Sequence, residues 1–110
     1  MAEEQIPSWA QKIIAAHTFE QNVEVSHAVR MKSLRYFVWQ EDGRNDLMAD
    51  GIHAEVAHTG TTDLYTRREF DPWARQIEQS FDRHGICWYL NSVQYEEEAG
   101  YWHYEWVWEV

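Results

Sequence analysis

The sequence is poor in cysteine, proline, glycine and basic residues, and each shortage closes off a class of protein. Cys87 is the only cysteine, so no disulfide within the chain and no multi-cysteine metal cage can form, and a reducing compartment is expected. Two prolines, Pro7 and Pro72, and five glycines leave no flexible linker, and 110 residues suit one domain, 1–110. Nine Lys+Arg against nineteen Asp+Glu give a formal charge of −10, which disfavours phosphate backbones and anionic lipid. Neither specific nucleic-acid binding nor membrane contact is expected. No apolar run approaches the roughly 18 residues of a membrane span. The start Met1-Ala2-Glu3-Glu4 is acidic, with no basic stretch leading into an apolar one. A cytosolic product is expected.

Aromatic residues are abundant: seven Trp, six Tyr and four Phe supply ample core. Trp9, Ile13 and Ala16 share one helical face, continued by Ile6, Ala10 and Ile14, which predicts a helix over about 9–19. Ser8 is its expected cap, with Gln11 completing a capping box. Apolar residues then recur at every second position, predicting strands over about 23–27 and 34–39. The stretch Gln40-Glu41-Asp42-Gly43-Arg44-Asn45-Asp46 has no face to bury, so an exposed loop is expected over 40–51. A long strand follows, with Ile52, Ala54, Val56, Thr62 and Leu64 alternating and a bend near Gly60.

Asp71-Pro72 is the clearest punctuation in the chain, because Asp accepts from free helix N–H groups and Pro at the first helical position loses nothing. With Gly85 as the closing residue, a helix over about 72–84 is expected, burying Trp73, Ile77 and Phe81 and turning Arg75, Glu78, Gln79 and Asp82 outward. A hairpin, Ile86 to Tyr95 and Tyr101 to Val110, ends the sequence. Trp102, Tyr104, Trp106, Trp108 and Val110 alternate with His103, Glu105, Val107 and Glu109, so the aromatic stripe should pack beneath the helices. The expected fold is α+β, a mostly antiparallel sheet with both helices packed on one face.

Six histidines raise the question of metal. His53-x-Glu55 and His103-x-Glu105 each share a strand face, yet no third ligand at a usual spacing accompanies either, and the Pro-Cys-x-x-Cys partner of zinc deaminases is absent. Cys87 lies three residues from His84, but Gly85 separates them, and a small strand residue is the plainer reading. No phosphate loop ending in Gly-Lys-Ser/Thr, no Gly-x-Ser-x-Gly and no Gly-x-Gly-x-x-Gly occurs. No catalytic residue, cofactor site or metal site is therefore assigned, and an enzyme is not expected. The last 25 residues hold five acids and no Lys or Arg, whereas Arg30, Lys32 and Arg35 cluster early and Arg67-Arg68 sit mid-chain. Such segregation suits head-to-tail docking of identical subunits.

Several segments, in order, resemble the tail-completion proteins of long-tailed bacteriophages, also known as tail-terminator, head-tail joining or minor capsid proteins. They are Tyr36-Phe37-Val38-Trp39, Asn45-Asp46 with Ala49-Asp50, Asp63-Leu64-Tyr65-Thr66, Phe70-Asp71-Pro72, Ser92-Val93-Gln94-Tyr95-Glu96 and His103-Tyr104-Glu105-Trp106-Val107, and they span about two-thirds of the chain. Many members carry a proline before the first long strand, where this sequence has Ser33-Leu34-Arg35. The resemblance implies a structural subunit that closes the tail tube as a ring, usually a hexamer. Its implied partners are copies of itself, the major tail tube protein and the head-tail connector protein, and it implies no cofactor. Its implied location is the virion head–tail junction, and the host cytoplasm during assembly. An acidic channel lining would let DNA slide past, and the segment 40–51 would serve as an arm to a neighbour. Small size and acidity also fit another class, an acidic DNA mimic or immunity-type inhibitor of a basic nucleic-acid enzyme or toxin.

Overall fold

A computed structural model of the chain describes the backbone of residues 5–49 and 52–110 and the side chains of residues 5–43 and 57–110. The elements in order are α1 (Ser8–His17), β1 (Val25–His27), β2 (Arg35–Ala49), β3 (Ile52–Thr66), α2 (Pro72–Arg83), β4 (Cys87–Glu96) and β5 (Tyr101–Glu109). The strands form one sheet in the order β1-β2-β3-β5-β4. β1 runs parallel to β2, and every other pairing is antiparallel. Both helices lie against one face, giving the expected α+β architecture.

That face holds the main core. Ala10, Ile13 and Ala16 of α1 and Trp73, Ile77 and Phe81 of α2 close over Phe37, Trp39, Leu64, Trp106 and Trp108. The aromatic stripe of β5 divides along its length: Trp106 and Trp108 are fully covered, whereas Tyr104 and Trp102 are only half-buried. The opposite face carries a smaller cluster, Tyr36, Val38 and Tyr65, flanked by Met31 and Tyr101. The β1–β2 connection reaches this face, where the Tyr101 hydroxyl donates to the Ser33 carbonyl at 2.6 Å and the Arg30 guanidinium sits 4.2 Å over the Tyr65 ring.

α2 begins and ends as its sequence dictates. Asp71 is the cap, its carboxylate accepting from the Trp73 amide at 2.9 Å, and Pro72 opens the helix. Gly85 takes φ +67°, which lets the Ile86 amide turn back to the Phe81 carbonyl at 2.9 Å and buries Ile86 against the core. The Asp71 carboxylate does more than cap. It also accepts from Thr66 Oγ1 at 2.7 Å and from Nε and Nη2 of Arg35, so one buried group joins the start of β2, the end of β3 and α2. Burial alone would raise its pKa, but these donors outweigh that and hold it below the ordinary value.

Five expectations require correction. Ser8 lies within the first turn of α1; the capping position is Pro7, with φ −56° and ψ 150° and no side-chain acceptor. Gln11 therefore donates its Nε2 to the Ile6 carbonyl at 2.7 Å instead of closing a capping box. The stripe of α1 is narrower than its composition suggests, with Ile6 and Ile14 exposed, and the helix stops at His17. Residues 40–49 are strand, not loop: β2 pairs with β3 from Arg35↔Thr66 to Ala49↔Ile52, with register shifts between Glu41 and Gly43 and between Leu47 and Met48. A ladder needs only backbone partners, so a stretch with nothing to bury can still be a strand. Because β5 pairs with β3 only from Thr59 to Thr66, the far halves of β2 and β3 extend past the sheet as a two-stranded ribbon.

The irregularity expected near Gly60 lies on the facing strand, where Glu41 pairs with Gly60 and Gly43 with Thr59, leaving Asp42 as a bulge. Gly60 is required because a Cβ there would collide with the Gln40 carbonyl and the Trp108 ring. Gly60→Ala is accordingly expected to lower the melting temperature by several degrees, read by near-ultraviolet circular dichroism of the buried indoles. Asp71→Ala should cost about 2–4 kcal/mol in urea unfolding, since it removes the cap and strands the Arg35 charge. Asp71→Asn, which keeps an acceptor for the cap, should cost less.

Candidate functional site

Burying tryptophan brings an N–H donor into the core, and here each of four indoles is given an acceptor. Trp73 Nε1 donates to Glu20 at 3.0 Å, Trp88 to Asp82 at 2.8 Å, Trp106 to Glu78 at 3.0 Å and Trp108 to Thr62 Oγ1 at 3.0 Å. Glu78 and Asp82, expected to be merely solvated, thus hold core rings from the outside. The Thr62 bond continues inward. His17 is fully buried; its Nδ1 lies 2.8 Å from the Ile13 carbonyl and its Nε2 2.9 Å from Thr62 Oγ1. A carbonyl can only accept, so Nδ1 carries the proton, and the Thr62 hydroxyl donates to Nε2 while accepting from Trp108. No local pattern signals this thread, because its residues are far apart along the chain and His17 stands at the end of its helix.

The second titratable cluster lies on the open face. His103 Nε2 is 2.7 Å from Asp63 Oδ1 and its Nδ1 3.4 Å from Glu96, with the ring stacked on Tyr65 at 4.3 Å. Burial pulls the His103 pKa down, but the Asp63 bond and the charges of Asp63, Glu96 and Glu105 carry it above the ordinary value. Tyr65 beneath it is pushed up to about 12 by burial and by Asp63. Glu105 turns away from His103 to accept from Asn91 at 2.7 Å, so that strand pair does not converge on a common point. His53 and Glu55 lie outside the described side chains. Among the described residues no group of three or more His, Cys, Asp or Glu is placed to hold a metal ion.

Cys87 is exposed at the start of β4. His84 Nδ1 donates to the Ser80 carbonyl at 2.8 Å, which turns that ring back along α2. Part of the charge segregation seen in the sequence is met within the fold. Arg35 is held by Asp71, Arg30 Nη2 reaches Glu96 at 3.4 Å, and Arg67 stacks over Tyr101 at 4.9 Å. Of the acidic turn, Glu97 and Glu98 remain exposed.

What the surface does offer is apolar. Tyr89, Leu90, Val93 and Tyr95 of β4 are 57%, 42%, 45% and 49% exposed on an outermost strand of the sheet. A bulge at Asn91, between the pairs Leu90↔Trp106 and Ser92↔Glu105, resets the alternation so that Trp88, Leu90, Val93 and Tyr95 all face the helix side. At the other end of the sheet a groove of about 670 Å³ opens between α1 and β1, lined by Ile6, Trp9, Ile14, Val25 and Trp39 with His27 and Glu41 at its rim. Phe70 is 85% exposed and holds φ 56°, a conformation costly for a bulky residue. No protein-family model matches the chain, and no curated protein matches it. Among the described residues no helix is long and apolar enough to cross a membrane.

The buried histidine generates a pH prediction. Its pKa is lowered to about 4, chiefly by burial, so folding favours the neutral ring. Its contribution is complete above the unfolded value of about 6.5 and is lost as pH falls toward 4, by on the order of 3 kcal/mol in all. His103, shifted upward, works in a different window, losing its contribution as pH rises through its raised pKa. Urea unfolding between pH 7 and pH 4 should therefore show declining stability that is flattened in His17→Gln.

Proposed function

We propose that this chain is a structural subunit of a phage tail-completion ring, closing the tail tube and joining it to the head connector through protein–protein contacts. The observation that carries the reading is the exposed apolar row on β4, since a long outermost strand with uncovered Tyr, Leu and Val side chains is a surface suited to partners. The resemblance of several segments to tail-completion proteins supports copies of this chain, the tail tube protein and the connector as those partners. The two-stranded ribbon formed by the far halves of β2 and β3 supports it too. It suits an arm already shaped as strands in the single subunit. Surplus negative charge, with Glu97 and Glu98 exposed, suits a channel through which DNA passes without adhering.

Negative-stain microscopy of the purified protein, alone and mixed with tail tubes lacking their terminal ring, tests the reading. Rings seated on tube ends are expected. The rival inhibitor role predicts no association with tubes and tight binding to a basic enzyme, weakening steeply with salt; that outcome would replace the proposal.

A further inference from the structure

The sheet order leaves β1 and β4 as its two outer strands, and the two edges are complementary. β4 is ten residues long and carries neither Lys, Arg nor Pro, the residues that usually guard an edge. β1 is three residues long and lies beside the α1 groove, whose wall includes Val25 and Trp39. Both features are on the helix side. Counting directions from β1, the parallel step to β2 is followed by three antiparallel steps to β4, so β4 runs opposite to β1. A second copy added in the same orientation therefore sets its β4 antiparallel to the first copy's β1, with evenly matched backbone donors and acceptors.

We infer that copies of this chain join head to tail, β4 of one against β1 of the next, with Val93 and Tyr95 entering the α1 groove of the neighbour. This deepens the ring reading above and rests on it for the identity of the assembly, though not for the contact itself. The competing occupant, β4 of a second copy about a two-fold axis, fits less well. The Asn91 bulge interrupts the strand, and a two-fold pairing meets that interruption in both partners. β1 needs only three residues, and the unbroken half Ser92–Glu96 supplies them. The repeated contact is heterologous, so it propagates in one direction and closes where the rotation permits. It also buries the apolar row and the groove together, which a β4–β4 dimer does not.

The test uses two exposed substitutions, Tyr95→Lys on β4 and Ile14→Lys in the groove, with sedimentation velocity as the readout. Each alone should weaken self-association roughly tenfold or more. Mixing the two should restore a dimer but nothing larger, because one copy keeps an intact β4 and the other an intact groove. A two-fold β4 contact instead predicts that Ile14→Lys associates like the wild type and that mixing adds nothing, and that result overturns the inference. So does a wild-type chain that stays monomeric at the highest concentration it tolerates. Val93→Lys and Ile6→Lys form a second pair should either first variant fail to fold, judged by far-ultraviolet circular dichroism. Rings that obey the mixing rule but ignore tail tubes would remove the phage role and leave this contact standing. Tube-end rings that form equally well with both variants would do the reverse.

Discussion

A tryptophan-rich core must place its indole N–H groups, and that requirement organises much of this molecule. An unpaired donor inside would cost about as much as a lost hydrogen bond with its desolvation, yet among the described residues no buried side-chain nitrogen or oxygen lacks a partner. Three of the four paired indoles end on carboxylates: Glu20 beyond α1, and Glu78 and Asp82 on the outer flank of α2. The fourth ends on Thr62, which passes the bond to His17. Helix position, strand register and ring orientation are therefore set together, because moving α2 by one residue would remove Glu78 from Trp106 and Asp82 from Trp88 at once.

The same bonds alter the meaning of the charge. A total of −10 suggests a surface that imitates nucleic acid, but Glu20, Glu78, Asp82 and Asp71 are engaged with core donors, and Asp63 and Glu96 face His103. The acids serve the fold first. Glu20 and Asp82 do so while still exposed, as Glu97 and Glu98 are, so negative charge also remains displayed on the outside.

Legibility followed local chemistry. α2 could be read almost to the residue because Asp71, Pro72 and Gly85 each have one physical use at a helix end, and the β4–β5 hairpin because alternate aromatics leave no other periodicity. The ribbon of β2 and β3 could not be read from side chains, since its polar stretch satisfies itself through backbone pairing. The bulges at Asp42 and Asn91 were hidden as well, because one extra residue resets alternation without changing composition. The groove depended on α1 leaving Ile6 and Ile14 uncovered, a matter of helix placement that hydrophobic spacing does not specify.

That last point connects packing to assembly. A helix covering the whole sheet would have sealed the apolar side of β4 and filled the space beside β1. Here α2 is held to β3 by the Asp71–Thr66 bond, to β5 by the Glu78–Trp106 bond and to β2 by the Trp73 stack on Phe37 at 5.7 Å, while α1 is held over β3 by the His17–Thr62 bond. α2 meets the outer strand near its start, where Asp82 accepts from Trp88, and Leu90, Val93 and Tyr95 further along β4 stay exposed. The core is thus completed by residues in the middle of the sheet, and the outer strands keep apolar surface that one copy has no means of covering. A contact between copies would cover it without disturbing any bond that holds the single chain together.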